Sequence, residues 1–82
     1  MKYIVVQGPD GEAPVLFPRA FMHKWVAEQL EPLDPVAAGF VTSANGRLQC
    51  YGVSESLKIA SRPDRDAALI NRALGAQDAE PS

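Results

Sequence analysis

The clearest pattern in the chain is a run of alternating polar and apolar positions on both sides of Asn45-Gly46. A two-residue hairpin turn requires positive φ at both central positions, which Asn tolerates and Gly adopts freely. The pattern therefore predicts a hairpin of roughly residues 36–44 and 47–53. Its register follows from the turn, so that Phe40 faces Tyr51 and Val41 faces Cys50.

The predicted register divides the side chains of the hairpin between two faces, because successive residues of a strand point to opposite sides. One face carries small apolar residues, namely Ala37, Gly39, Val41, Leu48 and Cys50. The other face is more polar and carries two aromatic rings, in the set Phe40, Thr42, Arg47, Gln49 and Tyr51. We expect the first face to be buried and the aromatic face to be exposed. The opposite arrangement, which would bury the rings, stays open.

The other strand signals lie at the start of the chain and after the hairpin. β-Branched residues predict a first strand at residues 3–7. The turn residues at 8–11 lead from it to a short strand at 15–17, which flanking prolines assign to a sheet edge. Residues 54–60 fit either a short fifth strand or an irregular crossing segment.

Helical spacing of apolar residues predicts a first helix at residues 21–30, which ends before Pro32. Its apolar stripe includes Phe21, Trp25 and Val26, and we expect this stripe to be buried against the sheet. Truncation of a buried Trp25 to Ala would cost about 3–5 kcal/mol.

A second helix is predicted by the start pattern Ser61-Arg62-Pro63-Asp64, with a capping hydroxyl followed by Pro and Asp in the first turn. Leu69 and Ile70 lie on the stripe that we expect to be buried. Gly75 is a typical C-terminal stop.

The element order β-β-α-β-β-α predicts an α+β fold. We expect a mainly antiparallel sheet of about four strands with both helices packed on one face. Residues 1–75 should form a single domain, and residues 76–82 a flexible C-terminal tail.

Composition limits the possible functions. A chain of 82 residues can bury one modest core, and its net charge of −2 argues against broad attraction to nucleic-acid phosphates. No apolar run approaches the ~20 residues of a membrane span, and the start lacks a signal-peptide pattern, so we expect no membrane segment and a cytoplasmic location. One Cys and one His cannot supply a usual structural zinc site. We expect neither a metal nor a cofactor.

Three residues could carry catalysis, but each has a simpler interpretation. His23 could act as a general base, yet a solvated helix residue is the simpler interpretation. Cys50 could be a nucleophile with His23, although its register favours a small buried apolar residue. Ser54 lacks the second glycine of a nucleophile elbow, and its hydroxyl should bond nearby backbone. We therefore expect no catalytic residue and no enzymatic activity.

The Phe40–Tyr51 pair is the candidate binding feature. Aromatic and Arg side chains are enriched at interfaces, so we expect this pair to contact a protein partner or a second copy of the chain. Thr42, Arg47 and Gln49 should support that contact. The structural alternative is a plain cross-strand pair that adds about 0.2–1 kcal/mol to the sheet.

Nucleic acid is the competing partner. The two rings could stack on bases while Arg47, Arg62 and Arg65 contact phosphates, although the acidic composition argues against this partner. The arginines around the second helix, including Arg72, have acidic neighbours along the chain, and ordinary solvated charge is the simpler interpretation.

Several segments resemble short, uncharacterised proteins of proteobacterial phages and prophages. They are Met1-Lys2-Tyr3-Ile4-Val5-Val6, Val15-Leu16-Phe17-Pro18, Ala38-Gly39-Phe40-Val41, Cys50-Tyr51-Gly52-Val53-Ser54-Glu55-Ser56-Leu57 and Ser61-Arg62-Pro63. The resemblance implies a small phage accessory protein that binds a host or phage protein stoichiometrically. Inhibitors of bacterial immunity, including anti-CRISPR proteins, are one such group.

Overall fold

The computed structural model describes residues 1–79, and it describes side chains as far as residue 75. The elements are β1 (Lys2–Gly8), β2 (Gly11–Phe17), α1 (His23–Gln29), β3 (Asp34–Ala44), β4 (Arg47–Tyr51), β5 (Val53–Ser54), β6 (Ile59–Ala60) and α2 (Pro63–Ala79). The four longer strands form an antiparallel sheet in the order β2-β1-β3-β4, while β5 and β6 form a separate two-stranded ribbon. The predicted α+β fold and element order are confirmed.

The central hairpin has the predicted register. Phe40 lies opposite Tyr51 and Val41 lies opposite Cys50. Asn45 at the turn has a φ of 53° and Gly46 a φ of 78°, as a tight reversal between twisted strands requires. Local turn chemistry therefore fixes which side of the sheet each residue of β3 and β4 faces.

The two helices lie on opposite faces of the sheet, so the prediction that both pack on one face is wrong. Val26 of α1 packs with Ile4, whereas Ile70 of α2 packs with Tyr3. Tyr3 and Ile4 are neighbours in β1 and therefore point to opposite sides. All of residues 3–6 are buried, as expected of a strand that is covered on both faces.

The orientation of α1 also differs from the prediction. Val26 is buried as expected, but Trp25 is 52% exposed and Phe21 is 45% exposed. The inward position is instead taken by His23, which is 3% exposed. The cost expected for truncating Trp25 consequently falls to roughly half of the value for a buried ring.

Helix α2 begins at Pro63 and buries Ile70 as predicted, but it continues past Gly75 to Ala79. The prediction that Gly75 ends this helix is therefore wrong. The predicted flexible tail of residues 76–82 begins inside the helix, and its last positions, 80–82, lie outside the described residues. Over residues 1–79, no helix has the length and apolar character needed to cross a membrane.

Candidate functional site

Large apolar side chains are exposed along one side of the molecule. They come from the start of α1 and from the strands beside it, and they are Phe21, Met22, Trp25, Tyr51 and Val53. A groove between α1 and the strands joins the two groups, because Met22, Phe40 and Val53 all line it. We call the five exposed side chains, together with the half-buried Phe40, the α1–hairpin surface.

Aromatic contacts organise this surface. The rings of Phe40 and Tyr51 stack with their centroids 5.6 Å apart, and those of Phe21 and Trp25 lie 5.4 Å apart. The guanidinium carbon of Arg19 lies 5.6 Å from the centroid of Phe40, within the range of a cation–π contact. Each exposed ring is thus supported from one side, which leaves the other side available for contact.

The predicted binding residues occupy one face of the hairpin but differ in exposure. Thr42, Gln49 and Tyr51 are exposed, whereas Phe40 is half-buried beneath Tyr51 and beside α1. Arg47 is also exposed, but it lies four residues along β4 from Tyr51, about 13 Å away. The structure therefore brings together Phe40 and Tyr51 and leaves Arg47 at the far end of the hairpin.

Sequence reasoning missed the contribution of α1 to this surface. Phe21, Met22 and Trp25 form an apolar stripe at helical spacing, and such a stripe usually belongs to the core. An alternative inward row at positions 23, 26, 27 and 30 has the same spacing but begins with a histidine. This second row could have indicated the observed orientation of α1. It did not favour that orientation over the first row, because a histidine can take the inward position only if its ring finds a hydrogen-bond partner.

His23 is buried, which corrects the prediction of a solvated helix residue. Its Nε2 lies 2.8 Å from the carbonyl oxygen of Gly39 and must donate to it, since a carbonyl only accepts. The rings of Phe17 and Phe40 meet the imidazole edge-on, at centroid distances of 5.4 and 5.7 Å. Burial, together with the positive charge of Lys2, lowers the pKa of His23 below its ordinary value of 6.5.

This lowered pKa predicts a loss of stability on mild acidification. The unfolded chain binds a proton at His23 near pH 6.5, whereas the folded chain binds it only at lower pH, so the free energy of unfolding falls as pH drops below about 6.5. The slope for one proton reaches at most about 1.4 kcal/mol per pH unit. Urea unfolding between pH 7.5 and 5 measures it.

The variant His23→Gln provides the control, because the Gln amide can still donate to a carbonyl but does not titrate. We expect it to flatten the stability profile between pH 7.5 and 5. An equal slope in the variant would assign the pH dependence to other groups.

Cys50 and His23 lie on opposite sides of the sheet. Cys50 is buried in the cluster that contains Ile70 of α2, as its register predicted. Burial raises the pKa of its thiol, which disfavours the reactive thiolate. The sheet separates the thiol from the imidazole, so a Cys–His catalytic pair is not formed.

The arginines at the start of α2 form ion pairs, which corrects the prediction of solvated charge. Arg62 makes two hydrogen bonds to the carboxylate of Glu12, at 2.9 and 3.1 Å, and also contacts Asp66. Arg65 lies 3.0 Å from the same Glu12. These contacts lower the pKa of Glu12, mainly through its hydrogen bonds to Arg62. Because Arg62 and Arg65 are engaged by Glu12, they do not form a basic patch with Arg47.

The remaining polar candidates have structural roles. The hydroxyl of Ser54 accepts a hydrogen bond from the backbone N–H of Leu57 at 3.2 Å, which confirms its predicted local role. At the start of α2, the carboxylate of Asp66 rather than the predicted Ser61 hydroxyl bonds the backbone, accepting from the N–H of Arg62. In the described part of the chain, no group of three or more His, Cys, Asp or Glu residues is arranged to hold a metal ion.

These features define a class: a small α+β protein with one helix on each face of a four-stranded antiparallel sheet and an exposed aromatic surface beside α1. Comparison of the chain with protein-family models, with curated proteins and with solved structures found no match. Function is therefore inferred from the side chains of the α1–hairpin surface.

Proposed function

We propose that this chain is a small non-enzymatic protein-binding module of the cytoplasm, and that a protein partner binds its α1–hairpin surface. One observation carries the proposal. Of the eight large apolar side chains that are exposed within residues 1–75, five belong to this surface, and they include the tryptophan and the more exposed tyrosine. Contiguous exposed apolar side chains are typical of interaction sites.

The chemistry of these side chains suits a binding anchor. Interface residues whose truncation costs at least about 2 kcal/mol are enriched in Trp, Tyr and Arg. Trp25 on α1, Tyr51 on β4 and Arg19 beside the ring of Phe40 supply all three types. Aromatic pairing also limits the rotation of these side chains before binding, so ordering them in the complex costs less conformational entropy.

Paired truncations test the proposal. The double variant Trp25→Ala/Tyr51→Ala should weaken binding of a partner captured from a bacterial lysate at least about tenfold, since each side chain is a potential anchor. Leu74→Ala is the matched control, because Leu74 is exposed on α2 and belongs to the other face of the sheet. Calorimetry with the purified partner gives both affinities, and circular dichroism checks folding.

Unchanged affinity in the double variant, with Leu74→Ala equally unaffected, would contradict the proposal. Phe40 is left in place because it packs against His23, so its loss would mix binding with stability.

Nucleic acid is less favoured than protein as the partner. Two of the three arginines that would contact phosphates are engaged by Glu12. Gel-shift assays at increasing salt distinguish the two, since phosphate contacts weaken steeply with salt. Binding to nucleic acid that is lost between low and physiological salt, and that also requires Arg62, would favour the alternative.

The sequence resemblance to phage and prophage proteins suggests the setting. In that setting the partner is a host or phage protein bound stoichiometrically, and inhibition of bacterial immunity is one such role. Light scattering of the purified complex should give one chain per partner site. A mass that gives more than one chain per partner site, or the absence of a stable complex, would contradict this mode of action.

A further inference from the structure

The first edge of the sheet is interrupted by a proline. In a hairpin with a two-residue turn, the residue pair next to the turn is hydrogen-bonded, and non-hydrogen-bonded and hydrogen-bonded pairs then alternate along the strands. In the β1–β2 hairpin the pair next to the turn is Gly8–Gly11, so the third pair after it, Val5–Pro14, is a non-hydrogen-bonded pair. Pro14, opposite Val5, then has its backbone directed away from β1. Because Pro has no N–H, an added strand would lose a hydrogen bond at the middle of this edge.

The second edge is covered by a side chain of α2. The amide of Asn71 accepts from the backbone N–H of Leu48 at 3.1 Å and donates to its carbonyl at 2.9 Å. Leu48 carries part of the outward-facing backbone of β4, which a new strand would need. Strand addition is thus hindered by Pro14 at one edge of the four-stranded sheet and by Asn71 at the other, which favours a partner that binds through side chains.

The charge around the groove is opposite in sign to that of the whole chain. The chain has a net charge of −2, yet Lys2 lines the groove, Arg19 lies over the ring of Phe40, and Glu55 is the carboxylate among the residues that line the groove. Within residues 1–75, the ion pairs all involve Glu12 or Asp66. Lys2 and Arg19 therefore form no ion pair there and can meet the carboxylates of a partner.

This charge also disfavours a second copy as the occupant. A two-fold dimer places the same surface, with the same excess of positive charge, on both sides of the interface. Like charges across an interface suppress association, whereas a complementary sign promotes it. The surface is therefore better matched to an acidic partner than to itself.

We propose that the α1–hairpin surface binds an acidic segment of another protein, with large apolar side chains in the groove and carboxylates beside Lys2 and Arg19. This inference rests on the proposed function and narrows its partner. The segment binds through side chains and does not extend the sheet.

Selection from a phage-displayed library of random short peptides tests the proposal, with the full chain immobilised as the target. We expect enriched peptides to combine Asp or Glu with aromatic or large aliphatic residues. Arg19→Glu should weaken their binding about threefold to fivefold at low salt, as expected for loss of an exposed charge pair. Arg72→Glu is the matched control, because it makes the same charge change at an exposed site on α2.

One further variant and the composition of the selected peptides separate the possible outcomes. Pro14→Val restores a donor to the β2 edge, so tighter peptide binding in this variant would indicate strand addition and overturn the proposal. Peptides that need Trp25 and Tyr51 but lack acidic residues, or that bind Arg19→Glu as well as the wild type, would also overturn it and leave the proposed function intact. A selection in which no peptide depends on Trp25 and Tyr51 would contradict the proposed function itself.

Discussion

Replacement of Asp66 by Ala should lower the free energy of unfolding by about 3–5 kcal/mol, the cost of breaking a buried charged pair. The carboxylate is fully buried on α2 and accepts hydrogen bonds from the Tyr3 hydroxyl, from the backbone N–H of Arg62 at 2.8 Å and from its Nε at 2.9 Å. Tyr3 is itself fully buried on β1, where burial and its contact with Asp66 raise the pKa of the phenol. Without the carboxylate, the Tyr3 hydroxyl is left buried without its acceptor.

The expected loss is a large share of the roughly 5–15 kcal/mol that stabilises a typical domain. Urea unfolding followed by circular dichroism measures it, and Asp64→Ala is the matched control. Asp64 is an exposed carboxylate in the first turn of the same helix, so its loss should cost at most about 1 kcal/mol. Equal destabilisation by the two substitutions would show that Asp66 does not anchor α2 to the sheet.

Replacement of Gly39 by Ala should destabilise the fold by about 2–3 kcal/mol, as overpacking of a dense core does. A Cβ at this position would lie 2.5 Å from the backbone carbonyl oxygen of Tyr51 and 3.1 Å from the Cβ of Ser61. Backbone cannot move aside as a flexible side chain can, so β3 and β4 must separate locally. The carbonyl of Gly39 also accepts the His23 hydrogen bond, and its displacement weakens the contact with α1.

Gly75→Ala is the matched control for this substitution. Nothing lies within 4 Å of a Cβ built at Gly75, which sits inside α2. The same chemical change should there stabilise the chain by about 0.5–1 kcal/mol, because Ala favours a helix interior more than Gly does. Thermal unfolding of both variants gives the comparison, and destabilisation of similar size at the two sites would refute the steric argument.

The parts of the fold that depend on local chemistry could be predicted from the sequence. The Asn45-Gly46 turn determined the register of β3 and β4, and with it the burial of Val41 and Cys50. The apolar run at residues 3–6 also indicates a strand covered on both faces, although alternation elsewhere favoured a one-sided sheet. The placement of α1 and α2 on opposite faces was nevertheless not predicted, because the run does not show which elements cover the strand.

The orientation of α1 could not be predicted, because it depends on a distant contact. His23 turns inward where the carbonyl of Gly39, sixteen residues away in sequence, accepts its N–H. The ion pairs of Arg62 depend in the same way on Glu12, fifty residues away. Half of the candidate site was consequently found through Phe40 and Tyr51, while the half on α1 was assigned to the core.

The proposed function depends most on Trp25 lying at the surface, and fluorescence tests this directly because Trp25 is the only tryptophan. At 52% exposure, its emission in the folded protein should lie near that of the urea-unfolded chain and be quenched readily by iodide. Neither property should change with protein concentration, since a second copy is not the proposed occupant. A blue-shifted emission that iodide does not quench at the lowest protein concentration would place Trp25 in the core and contradict the proposed function.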